Sequence, residues 1–301
     1  MDSPPRVSAV ILNSSRCADT LDCLESLERL EYPACSAIVL DNASHDDSVP
    51  AIKSRFPKVR IIPLMQNRGY AGNNNIGIEA ALAAGADWVL VLNEDTVLAP
   101  DCLTRLVAAG KADGHIGFVG PMVYHYDEPQ VIQSAGGRLD RLWVSSHFGQ
   151  NETDHGQYNQ VREVDWVTGC SLLARSRMIR HIGLLDERFF YYWEETEWCL
   201  RARRNGWRIV HVPQAKVWHK GVQRLYRPGP SVAYYNTRNR FLLLAKYHAP
   251  LAAWGCAWIQ TLRTLLSLRL RPKNRALSQQ RNAVWRGIVD FLHQRWGQMG
   301  G

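Results

Sequence analysis

The sequence lacks several patterns that define common classes of protein. Its seven cysteines form no Cys-x-x-Cys pair and show no Cys/His spacing typical of zinc sites, so the simplest interpretation is free thiols in a reducing compartment. No internal repeat and no low-complexity tract is visible. The N-terminus, MDSPPRVSAVILN, has no charged segment followed by an apolar one, which argues against a signal peptide and predicts a cytoplasmic protein.

The overall composition is that of a globular protein. Hydrophobic residues make up 46% of the 301 residues and charged residues 21%, far from the composition of a disordered chain. A chain of this length buries a core without disulfide bonds, as one large domain or as one domain with an appendage. The net charge of +8 attracts nucleic acid, anionic lipid or phosphorylated substrates. No RNA- or DNA-binding signature is present, so we expect no nucleic-acid partner.

Residues 1–120 alternate short apolar strands with amphipathic helices, a pattern that predicts βαβ units and a mostly parallel sheet. A polar stretch at residues 124–165 predicts a long surface excursion that forms a small hairpin or a flap. A helix is predicted at Glu194–Arg204. The predicted strands are Val7–Leu12, Ala37–Leu40, Val59–Pro63, Trp88–Leu92, Ile116–Val119 and Arg208–Val212.

The segment WVLVLNEDT, residues 88–96, ends a buried strand abruptly in Asn93, Glu94 and Asp95. Ligands of open α/β sheets lie at the carboxyl ends of the strands. Oxygen ligands at such a place suit Mg²⁺ or Mn²⁺, which often also holds substrate phosphates. Alone, the pattern fits equally a helix cap made by Asn93 and Asp95. A second acidic cluster, Glu194-Glu195-Thr196-Glu197, and the later His219 favour a site that performs chemistry.

The C-terminal part is basic and amphipathic. Residues 260–301 contain eight Lys and Arg residues against the single acid Asp290. Residues 251–268, LAAWGCAWIQTLRTLLSL, approach the length of a membrane span, but Gln260 and Arg263 lie near the middle. We interpret the segment as a helix lying in the plane of an anionic membrane surface, with a helix packed on the domain as the alternative. Its predicted apolar anchors are Trp254, Trp258, Leu262, Leu265 and Leu266, and its predicted headgroup contacts are Arg263, Arg269, Arg271, Lys273 and Arg275.

Five segments in order resemble family 2 glycosyltransferases of the GT-A fold, in particular the rhamnosyltransferase branch. They are VILN, LDNAS, NRGYAGNNNIG, LNEDT and YYWEETEWCLRARRNGW with a later WH, and the similarity spans residues 6–245. The resemblance implies a Rossmann-like, mostly parallel α/β sheet flanked by helices, with a C-terminal helical extension. It places a GT-A domain at residues 1–245 and a basic, membrane-associating extension at 246–301.

The resemblance also implies a set of residues that bind a nucleotide-sugar donor. Asp41 resembles the aspartate that accepts a hydrogen bond from a pyrimidine N3–H, although an Asx turn is the alternative. The loop at residues 67–73 would approach a phosphate or ribose closely, and Arg68 would neutralise charge. Asn73 stands where the family often has Gly. The full donor set is Asn13, Asp41, Asn67, Arg68, Gly69, Asn73, Asn93 and Arg238, the last as a bidentate partner of a phosphate.

The metal and the catalytic groups follow from the same resemblance. Asp95 is the predicted ligand of Mg²⁺ or Mn²⁺, with Asn93 in place of the first aspartate of the D-x-D motif and His219 completing the metal shell. Glu195 is the predicted general base, with Glu194 next in line. Glu197 and Arg201 are predicted to form a structural ion pair.

The acceptor side is predicted from the segment DWVTGC. By resemblance, Trp166, Thr168 and Gly169 line the acceptor side of the sugar pocket. For Trp166, stacking on a pyranose ring and burial in the core are both open.

These expectations describe an inverting, metal-dependent glycosyltransferase. The implied donor is dTDP-rhamnose, and the implied acceptor is a hydroxyl of a lipid-linked or growing cell-envelope polysaccharide, reached from the inner face of the cell membrane. A hexosyltransferase that uses a UDP-sugar is one alternative. A sugar nucleotidyltransferase is another, but it would show a Gly-rich, basic loop near the first strand, and residues 13–17 contain no Gly.

Overall fold

The computed structural model describes residues 3–221, 223–224, 228–270 and 277–300. Strands and helices alternate along the first part of the chain as the sequence predicts. The elements up to residue 125 are β1 (Val7–Asn13), α1 (Cys17–Glu28), β2 (Cys35–Asp41), α2 (Ser48–Arg55), β3 (Arg60–Pro63), α3 (Gly69–Ala83), β4 (Trp88–Asn93), β5 (Thr96–Leu98), α4 (Cys102–Lys111) and β6 (Ile116–His125). Those that follow are β7 (Ile132–Ser134), β8 (Gly137–Leu139), β9 (Ser145–His147), β10 (Arg162–Glu163), β11 (Ser171–Arg175), α5 (Ser176–Ile182), α6 (Glu194–Arg204), β12 (Arg208–His219), α7 (Pro230–Lys246), α8 (Leu251–Leu270) and α9 (Ser278–Leu292).

One large sheet carries the fold, with strand order β10-β12-β6-β11-β4-β1-β2-β3. Strands β4, β1, β2 and β3 run parallel to one another, β12 runs parallel to β6, and β11 lies antiparallel between β4 and β6. Leu12 pairs with Asn93 and Asn13 pairs with Asp41, so the loops after β1, β2 and β4 leave the sheet side by side. This arrangement confirms the predicted mostly parallel α/β sheet flanked by helices.

The apolar runs of the central strands are buried on both faces, as expected for parallel strands covered by helices. Val10 and Val91 point into one core, which α3, α5 and α6 cover. Ile11 and Leu92 point into the opposite core, which α1, α2 and α4 cover. The alternation of side chains along each strand therefore divides the hydrophobic residues between two layers.

Strands β6 and β12 extend well beyond their predicted ends. β6 was expected to end at Val119 and β12 at Val212, but they run together to His125 and His219. A register shift between Val212 and Lys216 lets the pair continue past Pro213. The polar excursion that follows β6 contains β7 and a small hairpin of β8 and β9, one of the two forms that the sequence left open.

Helices α7, α8 and α9 pack on one another at the C-terminal end. The ring of Phe241 contacts Trp254, Trp258 and Phe291. The prediction that both tryptophans anchor the chain in a membrane is therefore wrong, because they face the protein, and so does Leu265. Leu262 and Leu266 do point outward, whereas Arg271, Lys273 and Arg275 lie outside the described residues. Along the described part of the chain, every helix is too short or too polar to cross a bilayer.

Candidate active site

Two adjoining clefts lie where the predicted site residues converge. The first, here the strand-end cleft, has a volume of about 310 Å³ and opens at the carboxyl ends of β1, β2 and β4. The second, here the histidine cleft, has a volume of about 410 Å³ and lies between β6, β12 and the start of α6. Tyr70, Asn93 and Tyr191 line both. The strand-end cleft is also lined by Leu12, Ser14, Arg16, Asn42, Asn67, Gly69, Asn73, Glu94, Asp95 and Phe190.

Asp95 lies at the junction of the two clefts, held beside His219 by backbone pairing. His219 pairs with Thr96 across β12 and β5, and the amide of Lys220 donates to the carbonyl of Asp95 at 2.9 Å. The Asp95 carboxyl group is buried, with Oδ2 2.9 Å from Arg16 Nη1 and Oδ1 3.0 Å from His219 Nε2. Burial alone would raise the pKa of Asp95, but His219 and Arg16 outweigh burial and lower it. Asp95 is therefore a carboxylate that stays ionised.

The residues at this junction fit a divalent cation. Asp95 Oδ1 and His219 Nε2 lie 3.0 Å apart, so the two side chains would be close enough to hold one cation between them. Gln133 Oε1 lies 3.0 Å from His219 Nδ1, so Nδ1–H can donate to it, and Nε2 is the ring nitrogen that would bind a cation in place of the proton it holds beside Asp95. The described residues contain no group of three His, Cys, Asp or Glu ligands, so further ligands would have to come from the Asn93 amide, water or substrate phosphates.

Asn13 and Asp41 form a buried polar network at the ends of β1 and β2. Asn13 Nδ2 donates to Asp41 Oδ1 at 3.1 Å and to Ser44 Oγ at 2.8 Å. Asn13 Oδ1 accepts from the Thr20 hydroxyl at 2.8 Å. All of these bonds lie within the protein, so Asn13 fixes the orientation of the Asp41 side chain. Of the residues at this strand end, it is the neighbouring Asn42 that lines the strand-end cleft.

The loop before α3 forms another wall of the strand-end cleft. Asn67 Oδ1 accepts from the Gly69 amide at 2.9 Å and from Asn73 Nδ2 at 3.2 Å. Gly69 has a φ of +73°, and a Cβ there would overlap the carbonyl oxygen of Phe190, so this position requires glycine. The start of α3 lines the cleft through Gly69, Tyr70 and Asn73, and the amides of Gly69 and Ala71 already donate within the protein, to Asn67 Oδ1 and to the carbonyl of Phe190. Arg68 instead pairs with Glu187 at 2.6 Å, so its role in binding the nucleotide-sugar donor stays a prediction.

Glu194 and Glu195 begin α6 and line the histidine cleft. Their Oε2 atoms are buried and accept no hydrogen bond from the described residues. Burial and the neighbouring Glu195 raise the pKa of Glu194 well above the ordinary glutamate value, and burial also raises the pKa of Glu195. Two adjacent buried carboxyl groups with raised pKa values are typical of acid–base sites.

The backbone that leads into this acidic pair is strained. Phe190, Tyr192 and Trp193 have φ values of +62°, +66° and +75°, in a region that side chains other than glycine rarely adopt. The side chain of Asn239, on α7, donates to the carbonyls of Phe189, Tyr191 and Tyr192 at 2.7–2.8 Å. Asn239 therefore holds the segment that presents Glu194 and Glu195.

The histidine cleft is rich in groups that hydrogen-bond hydroxyls. His125 Nε2 lies 3.1 Å from Asn151 Oδ1, and His147 Nδ1 lies 2.9 Å from Ser134 Oγ. Burial lowers the pKa of His147 to about 4, so its ring is neutral at physiological pH. A polar cleft with neutral donors and acceptors suits a sugar. Its remaining walls include Gln133, Gln150, Asn151, Thr168, Gly169, Cys170, Tyr192, Gln223 and Arg224.

Residues 8–171, more than half of the chain, match the family profile described as "Glycosyl transferase family 2". The chain belongs to glycosyl transferase family 2. This match confirms the predicted family and the prediction that the protein is a glycosyltransferase.

Curated relatives of this glycosyltransferase include two named for rhamnose. N-acetylglucosaminyl-diphospho-decaprenol L-rhamnosyltransferase of Mycobacterium tuberculosis is 29% identical over 82% of this chain and 85% of the relative. dTDP-rhamnosyl transferase RfbF of Shigella flexneri is 25% identical over 75% of this chain and 76% of the relative. The protein is thus a rhamnosyltransferase-like member of its family.

The same fold occurs in a solved mannosyltransferase, PcManGT from Pyrobaculum calidifontis, determined with GDP-Man and Mn²⁺. The two structures align with a TM-score of 0.61 over 97% of this chain and 88% of the other, at 15% sequence identity. This likeness confirms the GT-A fold.

Two residues predicted for the glycosyltransferase site lie elsewhere. Arg238 is fully buried and donates to the carbonyls of Gly297, Arg188 and Phe189 at 2.7–3.0 Å, so the prediction that it binds a phosphate is wrong. Trp166 is buried and donates through Nε1 to the Arg138 carbonyl at 3.3 Å, so of the two interpretations the core position is correct.

Other residues at the site were missed by the sequence reasoning. Arg16, His125 and His147 lie in segments without a family-like motif, and only tertiary contacts bring them to the clefts. A signal was present for Asn239, which also supports the site, because residues 234–239, YYNTRN, resemble a stretch of the family that follows the catalytic region.

Proposed function

We propose that this glycosyltransferase transfers L-rhamnose from dTDP-rhamnose to a hydroxyl of a lipid-linked or growing cell-envelope polysaccharide, with inversion at the anomeric carbon and with a divalent cation. The observation that carries the proposal is the contact between the two clefts. Asp95 and His219 lie where the strand-end cleft meets the histidine cleft, which also holds the buried acidic pair. The names of the two rhamnosyltransferase relatives support the donor sugar.

The strand-end cleft would bind the nucleotide diphosphate. Asp41, oriented by Asn13, would accept the N3–H of the pyrimidine, and the loop containing Asn67, Gly69 and Asn73 would contact the ribose and phosphates. The same aspartate pairs equally with thymine and uracil, so a UDP-hexose is the alternative donor.

The junction of the clefts would hold Mg²⁺ or Mn²⁺ through Asp95 and His219, with Asn93 as a neutral ligand. The cation would stabilise the negative charge that develops on the leaving diphosphate. The short distance between Asp95 and His219 and the Mn²⁺ in the structure of PcManGT support this assignment.

Glu195 would be the general base. The two adjacent carboxyl groups disfavour a double negative charge, so one of them would keep its proton. We assign that proton to Glu194, whose pKa burial and the neighbouring Glu195 raise, and this leaves Glu195 ionised. Glu195 then accepts the proton of the acceptor hydroxyl. In the same step the hydroxyl oxygen forms the new bond to the anomeric carbon, and the bond from that carbon to the diphosphate breaks. Thr168 and Gly169 would line the acceptor side.

We further propose that the enzyme works on the inner face of the cell membrane, bound to anionic lipid. The outward face of α8 supports this proposal. Leu262 and Leu266 are each about half exposed there, and Leu251 is 87% exposed. Arg263 and Arg269 lie on the same helix and would meet headgroup phosphates.

A panel of nucleotide sugars tests the donor. The protein is incubated with Mn²⁺, an acceptor extract and one donor at a time, and release of the nucleoside diphosphate is measured. dTDP-rhamnose is expected to give the fastest release that depends on the acceptor. Faster release from a UDP-hexose would establish the alternative, and the absence of release from every donor would contradict the proposed chemistry.

Sedimentation with vesicles tests the membrane proposal separately. Vesicles with anionic lipid are expected to carry the protein down at low salt, and added salt should weaken the binding. The double variant Leu262→Asn, Leu266→Asn should bind less, whereas Leu142→Asn, at an exposed apolar position before β9, should bind as the parent does. Protein that stays in the supernatant at low salt would contradict the proposal.

A further inference from the structure

Arg16 is a charged residue of the strand-end cleft to which no family motif assigns a role. It lies in the loop between β1 and α1, and its guanidinium bridges two carboxylates. Nη1 lies 2.9 Å from Asp95 Oδ2, while Nε donates to Asp19 Oδ2 at 2.9 Å. Arg16 therefore forms an ion pair with Asp95, the same carboxylate that we propose as a metal ligand.

The backbone that carries Arg16 is fixed, whereas its side chain is accessible. The Ser15 amide donates to Ser44 Oγ at 3.1 Å, and the Cys17 amide donates to Asp46 Oδ2 at 3.0 Å. The side chain of Arg16 is 41% exposed, against 6% for that of Asp95. Because the backbone is fixed and the side chain is accessible, the guanidinium can change partners without movement of the loop.

Arg16 and a divalent cation are alternative counterions for Asp95. A cation bound to this carboxylate repels the guanidinium and takes over neutralisation of the charge. A diphosphate in the same cleft offers the planar guanidinium new oxygens, and arginine binds phosphates through two parallel hydrogen bonds. The diphosphate is thus the natural second partner of Arg16.

We propose that Arg16 is a counterion that changes partner: it pairs with Asp95 before the donor binds and contacts the donor diphosphate once a cation has taken its place. The inference rests on the proposed function, because it needs the same metal ligand and the same donor. Its consequence is that Arg16 weakens cation binding to the nucleotide-free enzyme and strengthens nucleotide binding to the cation-loaded enzyme. Cation and nucleotide binding are then positively coupled.

The variant Arg16→Gln tests this inference through two binding measurements. Mn²⁺ affinity without nucleotide, followed by electron paramagnetic resonance, is expected to rise about three- to ten-fold, since Asp95 loses a competing partner. The affinity for dTDP at saturating Mn²⁺, followed by calorimetry, is expected to fall about ten-fold or more. Opposite signs in the two measurements are the signature, because damage to the structure would weaken both.

Two comparisons complete the test. Arg16→Lys keeps the charge but loses the planar fork, so its dTDP affinity should lie between those of the parent and the Gln variant. Arg29→Gln removes an arginine that pairs with Glu25 on the surface of α1, and it should change neither affinity. Unchanged dTDP affinity in Arg16→Gln would overturn the inference.

Asp95→Ala separates failure of this inference from failure of the proposed function. Loss of Mn²⁺ binding in Asp95→Ala, together with parental Mn²⁺ and dTDP affinities in Arg16→Gln, would leave the metal site standing and overturn the role of Arg16. Undiminished Mn²⁺ binding in Asp95→Ala would instead overturn the proposed metal site and, with it, the exchange of partners.

Discussion

The polar groups around the strand-end cleft and those at the start of α6 differ in how completely they are hydrogen-bonded. Asn13, Asn67 and Asn73 each make hydrogen bonds within the protein. Asp95 is the exception in this region, because its Oδ1 accepts no hydrogen bond from the described residues, although Arg16 and His219 lie beside the carboxylate. Glu194 and Glu195 instead each bury an oxygen that accepts no hydrogen bond from the described residues.

The difference has a physical meaning. Buried polar groups are almost always hydrogen-bonded, because an unpaired one costs about 1–3 kcal/mol. A satisfied network holds its shape and is suited to binding a ligand in one orientation. An unsatisfied buried carboxyl group has a shifted pKa and is suited to exchanging protons. This difference is consistent with our proposal that the strand-end cleft binds the donor and that the acidic pair takes part in the chemistry.

The largest expected effect comes from removing the proton acceptor. Glu195→Gln keeps the shape of the side chain but cannot take the acceptor proton, so we expect the rate of transfer to fall about 10²–10⁴-fold. Affinity for the nucleotide diphosphate should stay close to that of the parent, because the strand-end cleft is unchanged. Steady-state kinetics and calorimetry measure the two quantities. Near-parental turnover would assign the base elsewhere, with Glu194 next in line.

Removing the support of the strained segment should have the next largest effect. Asn239→Ala removes the side-chain amide that donates to the carbonyls of Tyr191 and Tyr192 and, beside Arg238, to that of Phe189. We expect the free energy of unfolding to fall by about 1–3 kcal/mol. The turnover number should fall more than donor affinity, because the segment presents Glu195. Chemical denaturation and kinetics measure both.

A matched control for Asn239 is available on α6. The exposed Asn205→Ala also removes an amide that donates to a carbonyl, that of Arg201, but at the far end of the helix. Equal losses of turnover in the two variants would show that Asn239 has no specific role at the active site.

The sequence predicts the residues around the strand-end cleft better than the surroundings of the acidic pair at the start of α6. In the first region the residues lie at the ends of apolar strands, so the strand pattern alone brings Asn13, Asp41 and Asn93 together at one edge of the sheet. The bounds of α6 are also predicted correctly, Glu194–Arg204, from its acidic start and Asn-Gly end.

What the sequence cannot predict depends on contacts between distant segments. The ion pair of Arg16 with Asp95 joins residues that are 79 positions apart, and Asn239 reaches back about 50 positions to its carbonyls. The inward direction of Arg238 depends on how α7 packs, and the residue pattern of this helix does not reveal it. The continuation of β12 beyond Pro213 could not be predicted, because proline usually ends a strand.

A smaller effect is expected from filling the space beside Asp95. A Cβ built on Gly221 would overlap Asp95 Oδ2, so Gly221→Ala should displace the carboxylate and weaken Mn²⁺-dependent binding of dTDP about ten-fold. Asp95→Ala and His219→Ala should weaken it at least as much. Gly114→Ala is the control, because nothing lies within 4 Å of a Cβ there. Equal nucleotide binding with and without a chelator in the parent enzyme would contradict all three expectations.

The smallest expected effect tests whether the acidic pair lowers stability. The folded-state pKa of Glu194 is raised above the ordinary value of 4.5, so between the two values the folded protein holds more protons than the unfolded chain. The free energy of unfolding therefore falls as the pH rises above about 4.5. Glu194→Gln removes this contribution, and its melting temperature should exceed that of the parent at pH 8 by more than at pH 5. Glu31→Gln, at an exposed position, should show no such trend when both are followed by circular dichroism. A difference in melting temperature that is the same at every pH would mean that Glu194 does not carry the extra proton, and the division of roles between the two carboxyl groups would have to be reversed.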